Sequence, residues 1–349
     1  MSIIFSKIEE HYKSKMPFVG YRKPNSTTIS GFFMNSDELC FSTEFKESGF
    51  VFAPFNSEEK AVLFPFDAAE VIEEHVLLDE DFLLNNRLAS KNENDKFDHI
   101  HLIEKSLDEI NKNQLKKVVV SRNEKVELKK VNVLITFKKL LNTYANAFVY
   151  VWYHPKVGLW FGATPETLLN ITKNNFETMS LAGTQVYKKT EQVIWKSKEL
   201  EEQQLVTNFI ENQLKSISIN LKIDKTETVK AGSLLHLKTK VEGVLKEESS
   251  LKELIRSLHP TPAVCGLPRD KARDFINLNE NYKRSYYTGF LGELNIYDEE
   301  SSLFVNLRCM NIEDGFALIY IGGGITKDSN AKKEWEETVA KSKTMKKVL

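Results

Sequence analysis

Four glutamates at helical spacing are the residues of this chain best suited to hold a reacting group. Glu199 with Glu202, and Glu334 with Glu337, stand three apart in charged segments that carry an apolar stripe. Each pair therefore shares one helix face, its members about 60° apart around the axis. Two neighbouring carboxylates repel, and a hard divalent cation relieves that repulsion. Magnesium takes one or two carboxylates while keeping waters and substrate oxygens. For either pair alone, a solvated helix face is the competing reading. Lys341 follows Glu337 by one further turn.

Other residue types could serve a small anion. Gly322, Gly323 and Gly324 close an apolar run, where successive glycines let backbone N–H groups converge on negative charge, or simply make a tight turn. Arg308 lies in the preceding strand-like run; its fork suits a carboxylate. Lys116 and Lys117 head the run Val118 to Val120, and strand alternation sends them to opposite faces. A lysine turned inward is a candidate general base, whereas two fraying strand-end lysines are the plain alternative. Glu166, after Pro165, reads either as a first-turn residue or as a buried proton donor. His99 and His101 sit in a helical pattern, which discounts a shared metal site. Gly322 and Gly324 lack the third glycine and the context of a dinucleotide fingerprint.

The elements that must position these groups follow from periodicity. Strands are expected at Phe18 to Tyr21, Gly31 to Met34, Phe50 to Phe55 and Ala61 to Phe66, before the polar stretch Lys91 to Lys96. The spacing predicts helices over Phe97 to Asn113, Val133 to Tyr144, Thr190 to Ile217, Leu251 to Leu258, Arg269 to Asn277 and Ala331 to Leu349. Further strands are expected at Lys117 to Arg122, Ala147 to Tyr153, Gly158 to Phe161, Leu168 to Thr172, Glu177 to Ala182, Leu235 to Val244, Tyr287 to Tyr297, Leu303 to Asn311 and Phe316 to Ile321. This mixture without βαβ regularity reads as one α+β domain over residues 1–349, with a strand-rich portion at 1–96 and the chemistry in 97–349.

Bulk composition narrows the partners. The 349 residues with 41 % hydrophobic content can bury a sizeable core, and 48 basic against 49 acidic residues leave no basic field for nucleic acid. Cys40, Cys265 and Cys309 are odd in number and widely spaced, which fits a reducing cytosol rather than a disulfide framework or a zinc site. The start lacks a leader pattern, and no apolar run approaches the roughly 20 residues of a membrane span. A soluble, cytoplasmic protein with a small-molecule substrate is expected.

Ten segments in order, from the Lys117 to Arg122 strand through Thr164 to Leu169, Leu181 to Thr184, Lys198 to Val206, His236 to Gly243, His259 to Gly266, Arg284 to Gly292, Leu307 to Met310, Gly322 to Thr326 and Glu334 to Lys341, resemble the chorismate-utilising enzymes. That family includes isochorismate synthases, salicylate synthases and the large subunits of anthranilate and aminodeoxychorismate synthases. The resemblance implies a sandwich of antiparallel sheets with flanking helices and a central cleft. It implies Mg²⁺ held by Glu202 and Glu337 with Glu199 and Glu334 beside them. It also implies chorismate contacts from Arg308, Gly322, Gly323, Gly324 and Lys341, with Gly183, Thr184, His236, Ala263 and Tyr287 at other substrate positions.

The segment His259 to Val264 looks like the isochorismate synthase version. The implied reaction has Lys117 deprotonating a water that attacks C2, while Glu166 protonates the departing C4 hydroxyl. A salicylate synthase is the nearest alternative and a non-catalytic chorismate-binding subunit a more distant one. The resemblance further implies a monomer with no glutamine-hydrolysing partner. It leaves open whether the product feeds menaquinone, a siderophore or salicylate. Gln203 stands where many relatives have histidine, and the stretch Gln185 to Lys189 lacks the arginine-rich continuation of aminating members.

Overall fold

A computed structural model describes residues 2–77, 93–128, 131–187, 193–231, 234–297 and 299–349. The first part holds α1 (Ile3–Lys13), β1 (Phe18–Arg22), β2 (Thr28–Met34), β3 (Cys40–Ser42), β4 (Gly49–Ala53), β5 (Ala61–Pro65) and β6 (Ala69–His75). Next come α2 (Glu93–Asn111), β7 (Lys117–Glu127), α3 (Val133–Thr143), β8 (Phe148–His154), β9 (Gly158–Thr164), β10 (Thr167–Thr172), β11 (Asn175–Val186) and α4 (Ser197–Leu214). The remainder is β12 (Ser218–Ile223), β13 (Glu227–Ala231), β14 (Leu234–Leu245), α5 (Leu251–Leu258), β15 (Gly266–Leu267), α6 (Arg269–Asn279), β16 (Phe290–Ile296), β17 (Glu300–Val305), β18 (Cys309–Glu313), β19 (Phe316–Ile325) and α7 (Ala331–Lys346).

Strand alternation builds two antiparallel sheets packed face to face. In β8, Phe148, Tyr150 and Trp152 join an aromatic layer with Phe50, Phe52 and Phe304 of the second sheet. The intervening Val149 and Val151 turn outward onto α1 and α3, against Ile4, Ile8 and Phe137. The first sheet runs β15-β7-β19-β18-β9-β8-β1-β2-β6; the second runs β12-β14-β11-β10-β17-β16-β4-β5-β3, with β13 pairing β14. Helices α4 and α5 cover the outer face of the second sheet through Val206, Ile210, Leu254 and Ile255. The architecture is the expected α+β sandwich with flanking helices, and strands from the first 75 residues lie in both sheets. No helix among the described residues is long and apolar enough to cross a membrane.

Three departures from the sequence reading bear on the site. The expected strand Leu303 to Asn311 is broken: β17 ends at Val305 in the second sheet and β18 starts at Cys309 in the first. Asn306 sits at the break, where its side chain donates to the Tyr286 carbonyl at 2.9 Å and accepts from the Tyr150 hydroxyl at 2.7 Å, anchoring the crossover between the sheets. Arg308 then takes a left-handed φ of 46°. Second, β19 continues through its glycines instead of ending before them, with Gly322, Gly323 and Gly324 opposite Ser121, Val120 and Val119 of β7. Third, the expected helix start at Thr190 lies outside the described residues; Val193 to Lys196 are not helical, and α4 begins at Ser197 because Glu199 accepts the Lys196 N–H at 3.0 Å. The helix α1, capped by Ser2, and the short strands β3, β6, β12 and β13 escaped the sequence reading.

Candidate active site

One cavity, about 130 Å³, lies where α4 and α7 meet the ends of β11, β14 and β19 and the crossover at Arg308. Every residue assigned to the site from the family resemblance lines it except Lys117: Glu166, Gly183, Thr184, Glu199, Glu202, His236, Ala263, Tyr287, Arg308, Gly322, Gly323, Gly324, Glu334, Glu337 and Lys341. Lys117 stands just behind the wall. It is 0 % exposed, while Lys116 is turned to solvent, so strand alternation chose between the two lysines.

The carboxylates are interleaved with cations. Lys117 Nζ lies 2.9 Å from Glu202 Oε1, Lys198 Nζ 2.5 Å from Glu334 Oε1, and Lys341 Nζ 2.7 Å from Glu337 Oε1. Lys341 also donates to the Gly322 carbonyl at 3.0 Å, tying α7 to β19. Burial pushes the Glu202 carboxyl up, but Lys117 with Lys198 and Lys341 outweighs it, and the net value is below the ordinary one. Glu334 moves the other way, raised by burial and by Glu337 against the pull of Lys198. Lys198, which the sequence reading missed as a site residue, faces Glu334, Glu202 and Glu337 together. Its position four before Glu202 is the signal that could have found it.

The glycines act through missing side chains. They sit in a strand ladder with extended backbone, so the expected anion-cradling loop is replaced by a steric role. A Cβ on Gly324 would stand 2.6 Å from Glu202 Oε1 and 3.1 Å from Lys117 Cε, and one on Gly322 would stand 2.7 Å from the Tyr287 hydroxyl. Only glycine lets the Lys117–Glu202 pair reach the cavity edge.

Glu166 lies between β9 and β10, 3 % exposed, with its N–H donating to Thr164 Oγ1 at 3.3 Å. Burial raises its carboxyl from 4.5 to about 8, against opposing pulls from Lys117 and Arg308. It is therefore a protonated acid at neutral pH. His236 reads as a positioning group. Its Nδ1 lies 3.0 Å from the Gly183 carbonyl and its Nε2 2.8 Å from Arg308 Nη2, so Nδ1–H donates and Nε2 accepts. Burial, with Arg308 and Lys341 beside it, holds that ring neutral, its pKa lowered to about 3. Gly183 stands at a bulge of β11 with φ 67°, a conformation that favours glycine.

Gln203 resolves one departure noted in the sequence. It points away from the cavity, accepting the Ala182 N–H at 2.9 Å and donating to Ser180 Oγ and Thr239 Oγ1 at 2.7 and 3.0 Å. Its amide fastens α4 to β11 and β14, leaving Glu199 and Glu202 on the cavity face. The histidines discounted as ligands lie elsewhere, on α2 against Trp335 of α7 in the case of His99.

The donor set suits a hard cation. Among the described residues no three metal-ligating side chains close around a point. Four carboxylates nevertheless line one cavity, more oxygen donors than the one or two carboxylates taken by an ion that keeps waters and substrate oxygens.

The chorismate binding enzyme family model matches residues 67–349. Isochorismate synthase MenF of Bacillus subtilis is 30 % identical over 268 residues, 74 % of this chain and 56 % of that protein. Vibriobactin-specific isochorismate synthase of Vibrio cholerae is 29 % identical over 242 residues, 66 % of this chain and 61 % of that one. The matched segments thus span less than two thirds of these relatives. Among solved structures, DhbC of Bacillus anthracis superposes with a TM-score of 0.82 at 23 % identity, covering 99 % of both chains. MenF of Escherichia coli superposes at 0.79 and 20 % identity, covering 95 % of this chain and 88 % of that one. With the family model spanning both glutamate pairs, Lys117 and Glu166, the chain belongs to the chorismate-binding enzyme family.

Proposed function

We propose that this protein is an isochorismate synthase, a magnesium-dependent isomerase converting chorismate to isochorismate, with residues 1–349 as one catalytic domain. The observation that carries the reading is the charge pattern of the cavity. One buried carboxyl, Glu166, is held protonated, and around it Glu199, Glu202, Glu334 and Glu337 face Lys117, Lys198, Lys341 and Arg308. With Lys117 in its ammonium form, before it serves as base, these four anions and four cations sum to zero. A dicarboxylate substrate adds two negative charges, and a divalent cation cancels them.

Magnesium, when bound, supplies that charge and a fixed point for a substrate carboxylate. Glu202 and Glu337 would hold it, with Glu199 and Glu334 beside them. The chain's own residues do the rest. Glu166 gives its proton to the C4 hydroxyl as it departs; Lys117 takes a proton from the water attacking C2. One water enters and one leaves, so the product is an isomer. The base role needs the neutral amine, so the Glu202 charge must be engaged elsewhere when substrate is bound. Arg308 and Lys341 supply carboxylate contacts, with Gly183, Thr184, Ala263 and Tyr287 shaping the remaining wall. Each proton-transfer group contributes on the order of 10² to 10⁴ in rate. The same reading makes the protein a cytoplasmic enzyme acting without a glutamine-hydrolysing partner. The relatives named as isochorismate synthases support it.

Product analysis tests the reading. Purified protein with chorismate and Mg²⁺ is expected to yield isochorismate alone, with turnover lost on chelation and restored by added Mg²⁺. Salicylate with pyruvate would instead assign a salicylate synthase. Lys117→Ala and Glu166→Gln are each expected to abolish turnover while chorismate still binds; normal turnover in either removes the assigned role.

A further inference from the structure

Behind the site lies a charged cluster that the chemistry above does not use. Strand β7 has two faces. Lys117 and Val119 turn toward the cavity side, whereas Val118 and Val120 pack on the helix side with Leu102, Ile103 and Ile276. Arg122 and Glu124 continue that helix face and are 7 % and 3 % exposed. There Glu124 Oε1 bonds the ammonium of Lys346, itself 2 % exposed, and Glu124 Oε2 lies 3.4 Å from Arg122 Nη2. Arg122 Nε donates to Thr338 Oγ1 at 3.0 Å, and its guanidinium stacks 4.5 Å over the Trp335 ring.

Trp335, Thr338 and Lys346 form one stripe of α7. Glu334, Glu337 and Lys341 form another, rotated by about 100°. The first meets β7; the second lines the cavity. Apolar neighbours such as Met345 tolerate small rotations of the helix, because methionine adapts its shape. A bonded trio of buried charges does not, since each partner fixes a direction as well as a distance. Such clusters add little net stability over well-packed apolar residues; specifying register is their best-attested use. Here the leverage is large. Side-chain tips lie about 5–6 Å from the helix axis, so a twist of about 10° moves them roughly 1 Å. A misplacement of that size at a reacting centre can cost on the order of 10²-fold in rate.

We propose that Arg122, Glu124 and Lys346 are positioning residues, a buried ionic clamp that sets the rotation of α7 so that Glu334, Glu337 and Lys341 face the cavity. The inference rests on the functional reading above for the importance of those three residues, but the clamp itself is testable without it.

The test compares wild type with the triple variant Arg122→Met/Glu124→Leu/Lys346→Met, and with Lys346→Met and Lys346→Arg. Three measurements are made on the full chain: thermal midpoint, hydrogen exchange of the α7 amides against those of α4, and calorimetric Mg²⁺ affinity with chorismate present. The triple variant is expected to keep its thermal midpoint, yet to exchange at least about ten-fold faster along α7 only, with Mg²⁺ affinity weakened about 10- to 100-fold. Lys346→Met shows the same direction, and Lys346→Arg recovers most of the loss. Unchanged α7 exchange in both the triple variant and Lys346→Met overturns the clamp, as does wild-type Mg²⁺ affinity in a variant whose α7 has loosened. If wild type itself binds no Mg²⁺, the functional reading falls, and the exchange comparison still decides the clamp.

Discussion

Replacing Glu166 by glutamine should raise the stability of the fold as it destroys activity, and the gain should grow with pH. The carboxyl titrates near 8 when folded, against 4.5 when exposed, because burial outweighs Lys117 and Arg308. The folded state therefore holds a proton that the unfolded chain has released. Stability from this group is fully present below about 4.5 and is lost as pH rises through 8. Between pH 5 and 8 the two binding curves differ by about 3 to 4 kcal/mol, at roughly 1.4 kcal/mol per pH unit where only the folded state holds the proton. Glutamine fills the same space without a titrating proton. Denaturant unfolding of both proteins at pH 5 and pH 8 reads the effect, the other groups cancelling in the difference. The variant's advantage should widen by about 3 to 4 kcal/mol across that interval. A difference flat to within about 1 kcal/mol would show that Glu166 titrates as an ordinary carboxylate, and its role as proton donor at neutral pH would go with it. In the wild type, kcat/KM should correspondingly decline above pH 8, where the acid form is lost.

Gly324→Ala places a methyl group 2.6 Å from Glu202 Oε1; the carboxylate can swing aside, so the fold should survive, while turnover drops on the order of 10²-fold through misplacement, and wild-type turnover would contradict the steric role. Gln203→Leu takes the acceptor from the buried Ala182 N–H, while Ser180 and Thr239 lose one partner each and keep Thr207 and Thr226. Unfolding should show a loss of about 1–3 kcal/mol, with Mg²⁺ affinity weakened because α4 loosens. His236→Leu removes the acceptor that Arg308 uses, and should raise KM for chorismate more than it lowers kcat; an unchanged KM would free Arg308 from its dependence on the ring.

Much of the scaffold was legible in the sequence because its signals are local. The alternation of Phe148 to Tyr153 and the periodicity of Leu251 to Leu258 and Ala331 onward gave strands and helices close to those observed. The same spacing put Glu199 beside Glu202 and Glu334 beside Glu337, and put Lys116 and Lys117 on opposite faces of β7. It could not say which lysine turned inward, whether the two glutamate pairs met, or that Lys198 stood between them. Those facts depend on the packing of α4 and α7 on strands distant in sequence, where Gln203 fastens one helix and Arg122, Glu124 and Lys346 the other. The glycines make the same point. Three in a row suggest a turn when only backbone freedom is counted, but pairing with β7 holds them extended, and their value is the space they leave for Glu202 and Tyr287. Residue chemistry is written in the chain one position at a time. Proximity, burial and the raised proton affinity of Glu166 exist only once the two sheets have closed, since desolvation is a property of the assembled neighbourhood.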